Sequence, residues 1–343
     1  MKDQGAILVT GASGFVATHI VDVFLKAGYA VRGTVRSQAT ADKVRKTFPA
    51  FNERLSFAIV PDMTAPNSFD EAVQGVIGVI HTATPFKLSV EDNERDLLQP
   101  AIHGTISILQ SIQKFSPLVK RVVITSSFMA IRDPNKGTRP GYTYSEADWN
   151  PTTYEEAAKK DASASFAYAA AKTLAERKAW DFIETESPPF DLVTICPPMV
   201  FGPNKNATAD LTRLNTSSQQ IYGLISPKGH PSDPIPPNSS WSWVDVRDVA
   251  FAHLRAFQIP DAGGHRFLVC GGNFSFQQMA DILRKKVPEV RNRLPTGNPG
   301  SGFGKVELYI PDSSKAVTIL GIQFRDLEET VVDSARSLLR LED

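Results

Sequence analysis

The sequence has little cysteine, no excess of charge of either sign and no long apolar run. Cys196 and Cys270 are its two cysteines; neither lies in a metal-ligand spacing, so we predict two reduced core thiols and no metal site. Lysine plus arginine equal aspartate plus glutamate at 37 each, which gives no reason to expect a nucleic acid or an anionic membrane as partner. No segment could span a bilayer, and the N-terminus lacks a signal-peptide pattern. These absences predict a soluble, cytoplasmic protein.

The composition that remains is that of an ordinary globular chain, with 42% hydrophobic and 22% charged residues over 343 positions. Short apolar runs alternate with helical patterns, as in Ala17–Ala27, which ends before Gly28. Such runs are typical of strands buried on both faces of a parallel sheet. This alternation of strands and helices predicts an α/β fold with a doubly wound parallel sheet of the Rossmann type. The predicted strands are Ala6–Thr10, Ala30–Thr34, Leu55–Val60, Val76–His81, Arg121–Thr125 and Leu192–Cys196.

The amino-acid composition changes after Pro197, and residues 204–240 are rich in proline, asparagine, serine and threonine. Val244–Phe257 then has a helical pattern, and Arg266–Cys270 has the pattern of one more strand. We therefore predict a dinucleotide-binding domain at 1–200, completed by about 241–272. A smaller, discontinuous C-terminal lobe, expected at 201–240 and 273–343, would bind the substrate.

A glycine-rich turn follows the first predicted strand and begins the first predicted helix. Thr10–Ala17 reads T-G-A-S-G-F-V-A, in which Gly11 permits a tight turn and Gly14 lets the backbone approach a pyrophosphate. Ala17 is small enough for close packing of helix on sheet, and the helix N-terminus attracts phosphate. We predict that this turn binds a dinucleotide through Gly11, Ser13, Gly14, Phe15 and Val16.

The end of the second strand indicates which dinucleotide is bound. NAD sites carry an acidic residue there for the ribose 2′-hydroxyl, whereas Ala30–Arg36 holds no carboxylate and supplies Arg32 and Arg36. Guanidinium groups match phosphate geometry, so we predict NADPH/NADP⁺, with Arg36 better placed just past the strand. We expect His81 to be structural. Later strand ends supply further candidate cofactor contacts, namely Asp62, Met63, Thr82, Ala83, Thr125 and Ser126.

A tyrosine and a lysine lie four residues apart in Asp161–Glu184, a stretch that favours a helix. Tyr168 and Lys172 therefore share one helical face. The spacing alone is common, but Ser127 ends the fifth strand, where ligands of open parallel sheets bind. A hydroxyl, a phenol, an ammonium group and a dinucleotide together make a carbonyl-reducing site.

Several motifs make the chain resemble the extended branch of the short-chain dehydrogenase/reductase superfamily. Within it, the chain is similar to fungal NADPH-dependent aldehyde, ketone and methylglyoxal reductases and to plant dihydroflavonol reductases. The resemblance covers nearly the whole chain. The motifs are T-G-A-S-G-F-V-A at Thr10–Ala17, T-V-R-S at Thr34–Ser37, H-T-A-T-P-F at His81–Phe86, Y-A-A-A-K at Tyr168–Lys172, F-G-P at Phe201–Pro203 and D-V-R-D-V-A at Asp245–Ala250.

The resemblance implies roles for these residues. Ser127 would hydrogen-bond the substrate carbonyl, and Tyr168 would donate a proton to it. Lys172 would lower the Tyr168 pKa and hold the nicotinamide ribose. Further cofactor contacts implied by the family are Pro197, Val200 and Ser217. The substrate, an aldehyde or ketone, would meet Phe86, Phe128, Met199 and Trp241. A monomer or a homodimer is expected.

The roles of two residues that differ from the family, and two rival functions, stay open. His103 stands where relatives often carry asparagine, and Arg132 stands where several fungal relatives have an aromatic residue. Arg132 is either a solvated loop residue or a contact for a carboxylate-bearing substrate. The rivals are a nucleotide-sugar epimerase or dehydratase on the same fold, against which Arg36 argues, and a non-catalytic NADP-binding regulator, against which the Tyr-Lys pair argues.

Overall fold

A computed structural model describes residues 5–84, 90–206 and 210–342. Within these ranges the strands are β1 Ala6–Val9, β2 Ala30–Val35, β3 Leu55–Ile59, β4 Gly78–His81, β5 Arg121–Thr125, β6 Thr143–Tyr144, β7 Asp191–Cys196, β8 Met199–Phe201, β9 Ser242–Asp245, β10 Arg266–Leu268, β11 Gly272–Asn273 and β12 Ile310–Pro311. The α-helices are α1 Phe15–Lys26, α2 Gln38–Thr47, α3 Gln99–Phe115, α4 Tyr154–Ala157, α5 Ala164–Glu186, α6 Thr216–Ile225, α7 Val246–Gln258, α8 Phe276–Lys286 and α9 Leu327–Leu339.

Seven strands form the central sheet, in the order β10-β7-β5-β4-β1-β2-β3. Every neighbouring pair in it is parallel. The chain moves outward from β1 through β2 to β3, and then resumes at β4 on the other side of β1. The order therefore reverses between β1 and β4, which is where open α/β sheets bind ligands. The predicted doubly wound Rossmann fold is confirmed.

Alternation of side chains along β1 explains why its sequence is apolar without a break. Ile7 and Val9 pack into the cluster under α1 and α7, whereas Leu8 packs into the cluster under α3 and α5. Successive side chains of a strand point to opposite faces, and here both faces are covered by helices. All three residues are fully buried. Since helices cover both faces, we expect a ligand to bind at the strand ends.

Some predicted boundaries differ from the observed ones, and side-chain caps explain two of them. The helix predicted from Val244 begins at Val246, because Val244 is still in β9 and the Asp245 side chain accepts the Arg247 N–H. The helix predicted from Asp161 begins at Ala164, because Ser163 caps it. Val76 precedes β4, which begins at Gly78, and β10 ends at Leu268.

The C-terminal helices have an apolar cluster of their own. Residues of α6, α8 and α9, including Ile221, Met279 and Val331, pack there with Phe274 and Trp243. Two further sheets connect this region to the rest of the chain: β11-β9-β8 and the pair β12-β6. Residues 316–322 pack instead into the cluster under α1 and α7. The division into two lobes at the predicted boundaries stays a prediction.

Candidate active site

The predicted glycine turn lies between β1 and α1, at the reversal of strand order. Gly11 has a φ of +66°, a left-handed conformation that favours glycine. A Cβ atom on Gly14 would lie 3.2 Å from the Gly11 carbonyl oxygen. Gly14 is also the N-cap of α1 and makes no side-chain cap hydrogen bond, so the first-turn N–H groups can serve an anion. Ser13 and Val16 are partly exposed here, whereas Phe15 is buried.

Thr10 ties the segment after β4 to this turn. Its hydroxyl oxygen accepts the N–H groups of Thr82 and Ala83, each at 3.0 Å. With both lone pairs engaged, the hydroxyl proton goes to Nδ1 of His81, 3.0 Å away. His81 is therefore a neutral acceptor, and burial lowers its pKa to about 3. These contacts favour the structural role predicted for His81.

The two arginines of the second strand lie at opposite ends of the sheet. The Arg32 guanidinium donates to the carbonyl oxygens of Ala72 and Gln74, at 3.0 and 2.6 Å, in the segment that leads into β4. Arg36 directly follows β2 at the carboxyl end and is exposed. Within the described ranges its guanidinium makes no ion pair. The structure thus brings Arg36, but not Arg32, to the end of the sheet that carries the glycine turn.

Asp62 and Met63 follow β3 at the same end of the sheet. Hydrogen bonds from the Thr64 side chain and backbone lower the Asp62 pKa, with a smaller contribution from the Arg36 charge. Arg36 and Asp62 are therefore neighbours. Met63 packs against α3, where a Cβ on Gly104 would lie 2.7 Å from its Cε atom.

Three consecutive hydroxyl groups at the end of β5 have different partners. Thr125 Oγ1 lies 2.7 Å from Nε2 of His253, and Ser126 Oγ donates to Glu176 at 2.5 Å, so both side chains point into the protein. Ser127 Oγ accepts the N–H of Met129 at 3.1 Å. Among the described residues we find no acceptor for the Ser127 hydroxyl proton, which leaves it available to a carbonyl oxygen.

Helix α5 brings the Tyr-Lys pair to this strand end, because it packs against the 3₁₀ turn that begins after Ser127. The Lys172 ammonium is buried and donates to Thr84 Oγ1 at 3.1 Å and to the Thr125 carbonyl at 3.3 Å. Tyr168 lies one helical turn earlier and is partly exposed. Thr84 was not among the predicted site residues, although its place after the fourth strand is a signal that could have identified it.

Burial moves the pKa values of both residues. It lowers the Lys172 pKa to about 8, although the nearby Glu176 charge opposes the change. Lys172 is therefore mostly protonated at neutral pH. Burial raises the Tyr168 pKa to about 12, so its phenol is protonated there. In this structure burial, rather than the predicted influence of Lys172, dominates the Tyr168 pKa.

The predicted contacts beyond β7 lie just after that strand, in β8 and in α6. The Pro197 carbonyl accepts the Phe128 N–H at 2.9 Å, which joins the strand ends of β5 and β7. Val200 in β8 packs against the cluster under α1 and α7. Ser217 is buried in the first turn of α6 and accepts a hydrogen bond from Asn215 at 2.7 Å.

The predicted substrate residues differ in accessibility. Phe128 is 1% exposed and packs against Tyr144 and Tyr309, so its ring belongs to the core. Met199 and Trp241 are partly exposed at the edges of the neighbouring clusters. Phe86 lies outside the described residues.

The two departures from the family are placed differently. His103 lies on the exposed side of α3. Arg132 is only partly exposed, and its Nε atom is buried without a hydrogen-bond partner in the described part of the chain. Its charge lies close enough to Tyr309 to act on that phenol, whose pKa burial raises. Arg132 is therefore not a fully solvated loop residue.

Comparison with known proteins shows the family of this chain. Residues 7–271 match the model of the NAD dependent epimerase/dehydratase family. A ketoreductase of Aspergillus niger is 39% identical over 340 residues, which is 97% of each chain. The NADPH-dependent methylglyoxal reductase of Saccharomyces cerevisiae is 38% identical, covering 98% of this chain and 99% of that one. This chain belongs to the NAD dependent epimerase/dehydratase family, that is, to the extended short-chain dehydrogenases/reductases.

Solved structures of NADPH-bound reductases are similar to this chain over nearly its whole length. Yeast methylglyoxal/isovaleraldehyde reductase Gre2 complexed with NADPH has a TM-score of 0.90 and 38% identity, covering 98% of this chain and 99% of that chain. Gre2 from Candida albicans in complex with NADPH has a TM-score of 0.92 and 36% identity, with the same coverage. These relatives confirm the predicted class, an oxidoreductase that uses NADPH on carbonyl groups.

Proposed function

We propose that this protein reduces an aldehyde or ketone to the alcohol with NADPH. The observation that carries the proposal is the buried Lys172 ammonium, one helical turn from Tyr168 and bonded to the end of the strand that carries Ser127. A buried cation without a carboxylate in hydrogen-bond contact is costly, and it is retained here beside a phenol that is protonated at neutral pH. That combination suits proton donation followed by stabilisation of the resulting phenolate.

The chain's residues fit the cofactor. Gly11 and Gly14 form a cradle that a side chain on Gly14 would narrow, and the N-terminus of α1 adjoins it. We assign the pyrophosphate to this turn, the 2′-phosphate to Arg36, and the nicotinamide ribose to Lys172. Arg32 has no part in this assignment, because its guanidinium is bonded to backbone carbonyls at the other end of the sheet.

When bound, NADPH supplies the hydride that goes to the carbonyl carbon. Ser127 donates a hydrogen bond to the carbonyl oxygen, which orients and polarises it. Tyr168 gives its phenolic proton to that oxygen, so the product is an alcohol and the phenol becomes a phenolate. Lys172 stabilises this anion because it is charged below a pKa of about 8. The phenolate regains a proton from solvent after the alcohol leaves.

The substrate contacts that we propose are Met199 and Trp241, which are partly exposed, together with Phe86. The buried Phe128 would act on substrate choice only by supporting the wall of the site. The predicted cytoplasmic location and the choice between monomer and homodimer remain part of the proposal.

The test combines a substrate panel with one substitution. Consumption of NADPH should be measured over aldehydes, α-dicarbonyls, ketoesters and aryl ketones. Tyr168→Phe should lower kcat by about 10²–10⁴ and leave NADPH binding, measured by fluorescence, unchanged. Tyr29→Phe is the matched control, because Tyr29 is a buried phenol in the cluster under α1 and α7. Retention of a tenth of the wild-type rate in Tyr168→Phe would remove Tyr168 from the mechanism. NADPH binding without turnover on any panel member would favour a regulator.

A further inference from the structure

A buried ion pair lies directly behind the catalytic residues. Glu176 on α5 and Arg266 on β10 are in contact at 2.7 Å, with side chains 1% and 9% exposed. Neither residue belongs to the motifs that predicted the active site. Burying two charges is expensive and adds little net stability over apolar packing, so the pair calls for a functional explanation.

The Glu176 carboxylate gathers donors from several elements. It accepts from Arg266 through Nε at 2.7 Å and Nη2 at 3.2 Å, and from Thr194 of β7 at 2.7 Å. It also accepts the Ser126 hydroxyl at 2.5 Å. Ser126 directly precedes Ser127 in the chain. One carboxylate on the Tyr-Lys helix therefore holds the end of the strand that carries the catalytic serine.

Arg266 is itself held in place from the other side. Its Nη1 donates to the carbonyl oxygens of Glu146 and Asp148, at 2.7 and 2.8 Å. Its guanidinium also lies 3.5 Å from the centre of the Trp149 ring, which is a cation–π contact. These contacts hold the Arg266 guanidinium beside Glu176 and favour the observed position of the carboxylate.

Glu176 also has an electrostatic relation to Lys172. The two residues are one helical turn apart on α5, so their side chains lie on the same face. Both are buried, where a charge acts more strongly than in water. A carboxylate at this place favours the charged form of the lysine.

We propose that the Glu176–Arg266 pair is a positioning device for the active site. Its carboxylate holds the strand end of Ser127 against α5 through Ser126, and its charge keeps the Lys172 ammonium protonated. This inference rests on the proposed function, because it assigns Glu176 a role through Ser127 and Lys172. Glu176 itself is a positioning residue, since it acts through other residues.

Other ionisable groups near Lys172 do not replace Glu176. These groups are Tyr168 on the same helix, Cys196 at the end of β7, His81 at the end of β4, and Arg266 behind Glu176. Burial raises the pKa of the Cys196 thiol and lowers the His81 pKa to about 3. Of these groups and Glu176, Glu176 is the carboxylate, and its ion pair with Arg266 places a negative charge on the lysine's face of α5.

The effect of the Glu176 charge on Lys172 is tested by replacing both residues of the Glu176–Arg266 ion pair. Glu176→Gln combined with Arg266→Gln keeps similar side-chain volumes and leaves no unpaired buried charge. Lysine labelled with ¹³C gives the titration midpoint of Lys172 by NMR in the cofactor-free protein, with Lys172→Arg identifying the signal. We expect the midpoint, and with it the alkaline limb of kcat, to fall by about one pH unit. If the pair has only a structural role, kcat falls by the same factor at every pH, while the Lys172 midpoint and the alkaline midpoint of kcat do not change. That result would overturn the electrostatic part of the proposal.

The mechanical link is tested by two matched substitutions that each remove one hydroxyl donor from the same carboxylate. Ser126→Ala breaks the connection to the strand of Ser127, whereas Thr194→Ala breaks a connection to a strand without a catalytic side chain. We expect kcat to fall about tenfold in Ser126→Ala, with the NADPH dissociation constant unchanged, and to stay near the wild-type value in Thr194→Ala. Equal losses in the two variants would contradict the proposal.

If the double variant does not fold, Ser126→Ala and Thr194→Ala still test the positioning role of Glu176.

Failure of this positioning role can be distinguished from failure of the proposed function. If Tyr168→Phe is inactive while Ser126→Ala behaves like Thr194→Ala and the Lys172 midpoint does not move, only the role of Glu176 fails. If the wild-type protein reduces no member of the substrate panel, the proposed function fails.

Discussion

At the scale of single residues, cofactor choice depends on Arg36. Its guanidinium is exposed at the carboxyl end of the sheet and is a neighbour of Asp62. A phosphate on the cofactor ribose would replace that weak, solvated interaction with a charge-assisted contact. The 2′-hydroxyl of NADH offers no such charge, so preference for NADPH should follow from this one side chain.

We therefore expect Arg36→Ala to raise the KM for NADPH by about 10- to 150-fold, the value of one hydrogen bond to a charged group. The KM for NADH should change little. Steady-state kinetics with both cofactors measures this, and the wild-type preference should weaken as salt rises, because the contact is exposed.

Lys46→Ala serves as the control, since it removes one exposed cation from the far end of α2. Arg32→Ala provides a second comparison. Because Arg32 is bonded to backbone carbonyls, its loss should lower stability without changing the ratio of NADPH to NADH. Equal effects of Arg32→Ala and Arg36→Ala on that ratio would contradict the assignment.

At the scale of secondary-structure elements, the glycine turn depends on close packing over β2. Gly33 lies beneath it, and a Cβ there would be 2.6 Å from the Ala12 Cβ and 3.2 Å from the Phe57 ring. Both neighbours are held by the sheet or the turn, so the added methyl group must displace the turn. The position of the phosphate-binding backbone is therefore set partly by a residue on the adjacent strand.

We expect Gly33→Ala to lower the free energy of unfolding by about 1–3 kcal/mol, the usual cost of overpacking, and to weaken NADPH binding. Gly223→Ala is the matched control: Gly223 lies in α6, and nothing lies within 4 Å of where its Cβ would be. Alanine in a helix interior is favoured over glycine, so that variant should gain up to about 1 kcal/mol. Urea unfolding and NADPH titration would measure both effects, and a Gly33→Ala variant as stable as Gly223→Ala would contradict the packing argument.

At the scale of the whole molecule, three buried histidines make stability depend on pH. Burial lowers the pKa of His19 to about 4, of His81 to about 3 and of His253 to about 4. In the unfolded chain each binds a proton near pH 6.5. The unfolded state therefore gains protons first as the pH falls, and stability is lost between pH 6.5 and about 4.

As the pH falls through that window, each histidine should lower the free energy of unfolding by about 1.4 kcal/mol per pH unit. His19→Gln should flatten the dependence by about that amount, because glutamine does not titrate. Measuring unfolding by urea at pH 6, 5.5 and 5 gives the slope. Acidic groups such as Glu146 and Asp248, whose pKa values burial raises, affect wild type and variant alike, so the difference isolates the histidine.

His230→Gln is the control for this experiment, because it makes the same change of residue type at an exposed position. A slope equal to that of wild type in His19→Gln would mean that His19 is protonated in the folded state. It would contradict the neutral form that burial favours, since the hydrogen bond to the Pro203 carbonyl at 2.9 Å acts in the opposite direction on the His19 pKa.

The sequence alone determined the parts of this protein that depend on local pattern. Apolar runs such as Arg121–Thr125 predicted parallel strands because both faces of each strand are buried. Gly11 and Gly14 predicted the turn, because the left-handed backbone of Gly11 favours glycine and a Cβ on Gly14 would crowd the Gly11 carbonyl oxygen. Spacing of four put Tyr168 and Lys172 on one helical face.

Only the tertiary structure decided how side chains from distant segments use their hydrogen bonds. Arg32 and Arg36 look alike in sequence, yet the direction of a strand side chain and the nearby carbonyls hold Arg32 at the opposite end of the sheet. Phe128 follows Ser127 directly, yet its ring is buried among residues from β6 and the C-terminal segment. Glu176 meets Ser126 and Arg266 across 50 and 90 residues. No local sequence pattern predicts such contacts, because they depend on which strands become neighbours in the sheet.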